Sequence, residues 1–126
     1  MKVLQVVESA YRATIEEQDD TVLWFTQVLR NSGAATAVLL RGPAVSYVVS
    51  AQDASGVKFG SWRQAQPPRI SAAVLALIAS GVNVYVDADD LEERGIGNDE
   101  CVAGCTPVRS TQLAELFEGF DRVWQW

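Results

Sequence analysis

Val84-Tyr85-Val86-Asp87-Ala88-Asp89-Asp90-Leu91-Glu92-Glu93-Arg94-Gly95-Ile96 decides how the chain is read. A β-branched and aromatic run stops in carboxylates, a short helical turn follows, and Arg94-Gly95 ends it. An apolar strand of this kind belongs to a parallel sheet covered on both faces. In such open α/β sheets, ligands and reactive groups collect at the carboxyl ends of the strands, so Asp87 and Asp89 are candidate site residues. Residues 84–100 hold seven acids (Asp87, Asp89, Asp90, Glu92, Glu93, Asp99 and Glu100) against Arg94 alone. That excess equals the net charge of −6, so the remaining residues balance.

Two chemistries suit these acids. Asp87, Asp89 and Asp90 are hard oxygen donors of the kind that hold a divalent cation. Alternatively, Asp89 or Asp90 caps a short helix, with Glu92 and Glu93 in a first turn whose dipole favours negative charge. The spacing matches no Ca²⁺ loop, so capping is the expectation and no metal is assigned. Arg94 is left to neutralise the cluster or to pair across a subunit boundary.

Outward from this segment, strands and helices alternate. Lys2–Val7 is a nearly continuous apolar strand, and Glu8, Ser9 and Arg12 fall in the loop after it. Thr14-Ile15-Glu16-Glu17 fits a capping box for a helix carrying Val22, Phe25, Val28 and Leu29 on one face and closing at Asn31-Ser32-Gly33. Residues 35–40 form a second strand ending at Arg41-Gly42-Pro43, and 44–50 a short helix with Pro43 in its first turn. Residues 51–69 are the longest irregular stretch, exposing Phe59 and Trp62, and are basic from Arg41 to Arg69; loops this long are usually functional or interfacial. A helix over 70–79, a strand over 82–86 and a strand within 101–109 follow, the last demoted to an edge by Pro107. Residues 111–119 make an amphipathic helix with Leu113, Leu116, Phe117 and Phe120 in step, and 121–126 a last short strand.

The expected fold is α/β: three layers, α/β/α, around a mainly parallel five-stranded sheet, in one domain over 1–126. Glu8, Ser9, Arg12, Arg41, Asp87 and Asp89 then gather at the strand ends as a ligand crevice. Trp124 and Trp126 share one strand face, where they either complete the core or form an interface patch.

With 48% apolar and 21% charged residues in 126, the chain can bury one core without staples. A net charge of −6 argues against nucleic acid, whose phosphates need a basic footprint. No apolar run approaches the ~18 residues of a membrane span. Met1-Lys2-Val3-Leu4 enters a strand directly, without the pattern of a signal peptide, so the cytoplasm is the expected compartment. Histidine is absent, which removes Ser-His-Asp and Cys-His mechanisms within one chain. The first loop holds no glycine-rich phosphate cradle, so a flavodoxin-like redox module is a minor alternative and no cofactor is expected.

Thiol chemistry can come only from Cys101 and Cys105. Their spacing is not that of the redox Cys-x-x-Cys pair, and two thiols without histidine fall short of a zinc site. They are either small buried hydrophobes or, as candidate catalytic residues, a reactive pair.

Several stretches in order resemble the DsrE/DsrF/DsrH-like family, which shares the YchN-like fold and includes the Tus sulfur-relay subunits. They are Lys2-Val3-Leu4-Gln5-Val6-Val7, Leu39-Leu40-Arg41-Gly42-Pro43-Ala44-Val45, Gly81-Val82-Asn83-Val84-Tyr85-Val86, Asp90-Leu91-Glu92-Glu93-Arg94-Gly95-Ile96 and residues 113–123. The resemblance spans essentially the whole chain. It implies a small cytoplasmic protein that forms trimers, or hexamers built from them, with itself or with related subunits, and that meets a sulfur-relay protein partner. In sulfur-carrying members a cysteine just after the third strand takes up persulfide sulfur; here that position reads Asp87-Ala88-Asp89-Asp90. The resemblance therefore points to a non-catalytic or binding member, the alternative being a sulfurtransferase that uses Cys101 or Cys105.

Overall fold

The computed structural model describes residues 1–10, 20–52 and 55–126. Five strands, β1 (Lys2–Val7), β2 (Ala35–Leu40), β5 (Asn83–Asp87), β6 (Thr106–Val108) and β7 (Arg122–Gln125), form one sheet in the order β6-β5-β2-β1-β7. Every pairing in it is parallel, with Lys2 opposite Ala35, Ala37 opposite Asn83, Tyr85 opposite Thr106 and Val3 opposite Arg122. The expected three-layer α/β architecture is therefore the observed one.

Alternation along each strand splits the core in two. Val7, Val38, Leu40, Val84 and Val86 face α1 (Thr21–Asn31), α2 (Ile70–Ala79), α3 (Ala88–Glu93) and the 3-10 turn Gly42–Val48. Leu4, Val6, Ala37 and Leu39 face the opposite side, closed by Leu113, Leu116, Phe117 and Phe120 of α4 (Leu113–Glu118) and the turn after it. Central β1 and β2 are thus apolar on both faces, which explains their unbroken hydrophobic runs. Each fully buried Leu or Val there contributes roughly 1.5–3 kcal/mol.

Three local expectations need correction. On α1 the buried residues are Leu23 and Thr26, and Val22 packs against the core as expected, whereas Val28 is exposed. A buried hydrogen bond from Gln5 Nε2 to Thr26 Oγ1 (2.6 Å) sets this rotation, and Phe25 turns aside to stack on Trp124 at 6.4 Å and meet Trp126 edge-on at 6.3 Å. The Thr14–Glu17 capping box lies outside the described residues; Asp20 caps α1 as observed, accepting from Val22 N and Leu23 N at 2.9 Å. The short helix after Pro43 is a 3-10 turn, not an α-helix. The stretch expected to be irregular contains an antiparallel hairpin, β3 (Lys58–Phe59) with β4 (Trp62–Arg63), which pairs with no other strand among the described residues. Pro107 does sit in an edge strand.

Candidate functional site

The carboxyl ends of four neighbouring strands carry a row of charges. Glu8 follows β1, Arg41 follows β2, Asp87 ends β5 and Arg109 follows β6. Parallel pairing in this order makes the row, because every strand delivers its last residue to the same edge of the sheet.

Asp87 is buried, with 2% of its surface exposed. Its Oδ1 accepts from Asp89 N (3.0 Å) and Asp90 N (3.1 Å), so Asp87 is the cap of α3 in place of the expected Asp89 or Asp90. The strand runs one residue further than its apolar pattern suggested, and the helix begins at once. Its Oδ2 lies 3.5 Å from Arg41 Nε, and Arg41 Nη1 lies 3.6 Å from Glu8 Oε1. These are long ion pairs: Arg41 Nε is buried yet makes no hydrogen bond among the described residues, so its attraction to Asp87 is electrostatic without the directional component. Asp90 reaches across to Gly42, accepting from its backbone N at 2.7 Å. Gly42 has φ +53, the left-handed region that a side chain disfavours, so the turn after β2 needs glycine where it meets Asp90.

A second knot lies next to the first. Arg109 donates to Asp89 Oδ1 at 2.9 Å and to Glu92 Oε1 at 2.7 Å. Ser110 adds its backbone N (2.9 Å) and its hydroxyl to Asp89 Oδ2, the hydroxyl contact being very short. The Ser110 hydroxyl, helped by Arg109, lowers the Asp89 carboxyl to about 2. Arg109 likewise lowers Glu92, and the two carboxylates raise Arg109 in return. All three groups are solvent-accessible, so this knot fixes geometry more than it adds stability.

Of the six expected crevice residues, the structure brings Glu8, Arg41 and Asp87 together. Asp89 turns away toward Arg109 and Ser110. Ser9 is exposed and offers its carbonyl to the Tyr47 hydroxyl at 3.3 Å. Arg12 lies outside the described residues. Arg94, left as a neutraliser of the acids, makes no ion pair among the described residues; Arg41 and Arg109 take that role. Sequence reasoning missed Arg109 and Ser110, although their place directly after a strand was a usable signal.

Cys101 and Cys105 are both free and half-buried against the first core. The Cys101 thiol donates to Gly97 O (3.5 Å) and the Cys105 thiol to Val102 O (3.3 Å). Burial raises the pKa of both; for Cys101, the neighbouring Cys105, Glu100 and Asp99 raise it further. Neither thiol is primed as a nucleophile, because the thiolate is the reactive form. Among the described residues no three His, Cys, Asp or Glu side chains converge as a metal-binding group, and no helix is long and apolar enough to cross a membrane.

A hollow of about 380 Å³ opens at the other end of the strands, between Lys2, Asn83, Tyr85, Leu116 and Phe120. The carboxyl edge holds the charge row. Chemically, the four charged side chains described there can exchange ion pairs with a polar group, and none of them is a thiol.

The fold has solved counterparts. The YchN protein of E. coli superposes with a TM-score of 0.73 at 20% identity, covering 99% of this chain and 98% of its own. A protein of unknown function from Methanobacterium thermoautotrophicum gives 0.59 at 14% identity, covering 99% and 98%. Another from Bacteroides thetaiotaomicron gives 0.63 at 14%, covering 99% and 95%. At these identities the likeness speaks for the fold alone. No curated protein sequence matches the chain. The sequence pattern of the DsrE/DsrF-like family, however, matches residues 1–126. By that full-length match, on this fold, the chain belongs to the DsrE/DsrF-like family.

Proposed function

We propose that this chain is a non-catalytic, binding member of its family: a small oligomeric subunit of intracellular sulfur relay that presents its strand-end crevice to a partner. The observation that carries this reading is Asp87. The end of the third sheet strand, next to which sulfur-carrying relatives resembling this chain keep a cysteine, holds a buried carboxylate committed to capping α3 and facing Arg41. A carboxylate forms no persulfide, and sulfur exchange requires a thiolate.

The two thiols support the same reading, since burial holds both in the protonated form. What the crevice offers is charge: Glu8, Arg41 and Asp87 in one row, with Arg41 shared between two acids. Such a row recognises a polar protein edge by exchanging ion pairs, which sets register and partner choice more than affinity. The partner is a sulfur-relay protein or a related family subunit, and the chain assembles as a trimer or hexamer in the cytoplasm.

The test is sulfur loading. The full chain is incubated with a cysteine desulfurase, pyridoxal phosphate and cysteine, and intact mass is measured without reductant. The expected result is no gain in mass. A gain of one sulfur that disappears in Cys101→Ser or Cys105→Ser would overturn the reading and establish a sulfurtransferase.

A further inference from the structure

We propose that the 58–63 hairpin is a docking arm for a second copy of this chain, seating Trp62 in the hollow beside α3 with its cations on that hollow's acidic rim. The inference rests on the binding role above and names a surface that role leaves open.

The arm is preformed. Lys58 pairs with Arg63 and Phe59 with Trp62, and Gly60 at φ +56 makes the tight turn. Its base is pinned by Gln64 N donating to Val57 O at 2.8 Å. Gly56 packs so closely there that a Cβ would lie 2.3 Å from Gln64 O. Yet the arm serves no core of its own. Phe59 is 61% exposed and Trp62 41%, their rings 6.1 Å apart. A lone two-stranded hairpin is marginal in water, and an apolar tip rimmed by charge marks an interaction site.

Charge selects the partner. Residues 55–69 contain Lys58, Arg63 and Arg69 and no acid, while the rest of the chain has nine more acids than bases. None of these three cations has an ion-pair partner among the described residues. The matching surface is on the same molecule. A hollow of about 240 Å³ lies between Leu91, Ile96 and Pro107, with Glu92 and Arg109 at its side. That is below the ~300–1,000 Å³ of small-molecule sites and suits a side chain. Asp99 leans over Gly97 at its edge, its Oδ1 2.6 Å from where a Gly97 Cβ would stand. Asp89, Glu92, Asp99 and Glu100 against Arg109 leave this edge three charges negative, matching the three positive charges of residues 55–69. Tryptophan and arginine seated in a partner's pocket are the usual anchors of an interface. Arm and hollow are different surfaces, so the contact is heterologous, and a ring is the closed assembly it can build.

The experiment uses the full chain and multi-angle light scattering with sedimentation velocity. The wild type is expected to assemble at low salt and to dissociate toward monomer as salt screens the contact. Lys58→Glu/Arg63→Glu on the arm, and Asp99→Lys/Glu100→Lys on the rim, should each give folded monomers by circular dichroism. Mixed in equal amounts they should reassemble, since each supplies what the other lost. Trp62→Ala should weaken association at least about tenfold with charge unchanged. A wild type that is monomeric at every salt concentration, variants that keep the wild-type mass, or a mixture that stays monomeric would each overturn the proposal. A wild type that stays monomeric but binds a related subunit also overturns it. Sulfur loading of Cys101 or Cys105 would overturn the non-catalytic reading and leave the arm untouched, so the two failures are distinguishable.

Discussion

The Tyr47 hydroxyl donates to Asp20 Oδ2 at 2.6 Å in a buried setting, while the other oxygen of Asp20 caps α1. One carboxylate thus fixes where the helix starts and ties that start to the 3-10 turn after β2. Asp20→Ala removes the cap and leaves the Tyr47 hydroxyl without this acceptor; the expected loss is about 1–3 kcal/mol by urea unfolding. Tyr47→Phe should cost less, about 1 kcal/mol, because the cap itself survives. Equal losses would mean that the cap contributes nothing of its own.

Asp89 offers a pH signature. Its folded value of about 2 lies below the ordinary 3.8, so its contribution to stability is present above about pH 4 and is lost as pH falls toward 2. Glu92 is lowered in the same direction. Carboxyl-carbon NMR titration should show Asp89 ionising about two pH units early, and Ser110→Ala or Arg109→Ala should return it toward the ordinary value. An unchanged Asp89 titration in both variants would show that the knot is not formed in solution.

The two thiols should alkylate slowly. Burial raises both, so at pH 7 iodoacetamide should modify Cys101 and Cys105 more slowly than free cysteine, with rates climbing only in alkaline solution. Mass spectrometry of each site against time decides it. Rapid labelling at pH 6 would contradict the packing described for both.

Gly104 has φ +95, and a Cβ there would come 2.8 Å from Ile78 Cγ2. Gly104→Ala meets both backbone strain and a clash with α2, so it should destabilise by more than about 1 kcal/mol. Adding Ile78→Ala should recover the steric part only, making the pair non-additive. Full additivity in a double-mutant cycle would place the cost in the backbone alone.

The elements legible in the sequence were those with a clear period and a clear stop. α2 was readable over 70–79 because an apolar run met Gly81, whose φ of +88 ends the helix. Pro107 announced an edge because a residue without N–H is poorly placed inside a sheet. The hairpin was missed because two residues per strand are too few for alternation, although Gly60-Ser61 between aromatics is a two-residue turn signal.

The site was legible to the extent that it obeys strand-end logic. Glu8, Arg41 and Asp87 each follow or end an apolar run, and parallel pairing places them in one row. Arg109 carries the same signal, but its partner was out of reach. It lies 20 residues from Asp89, and only the pairing of β5 with β6 brings the two together. Asp87 rather than Asp89 caps α3 because helix and strand share a boundary, which no local propensity marks to the residue.

Strand β7 lies beside β1, and Lys2 N donates to Asp121 across 119 residues of sequence. Of the five sheet strands, β1 is therefore the one that waits longest for its second neighbour. Until residues 121–126 emerge, one row of β1 amides and carbonyls stands open, an edge onto which another nascent chain can pair. Slow, non-local closure of this kind makes β7 the step at which productive folding and aggregation part company.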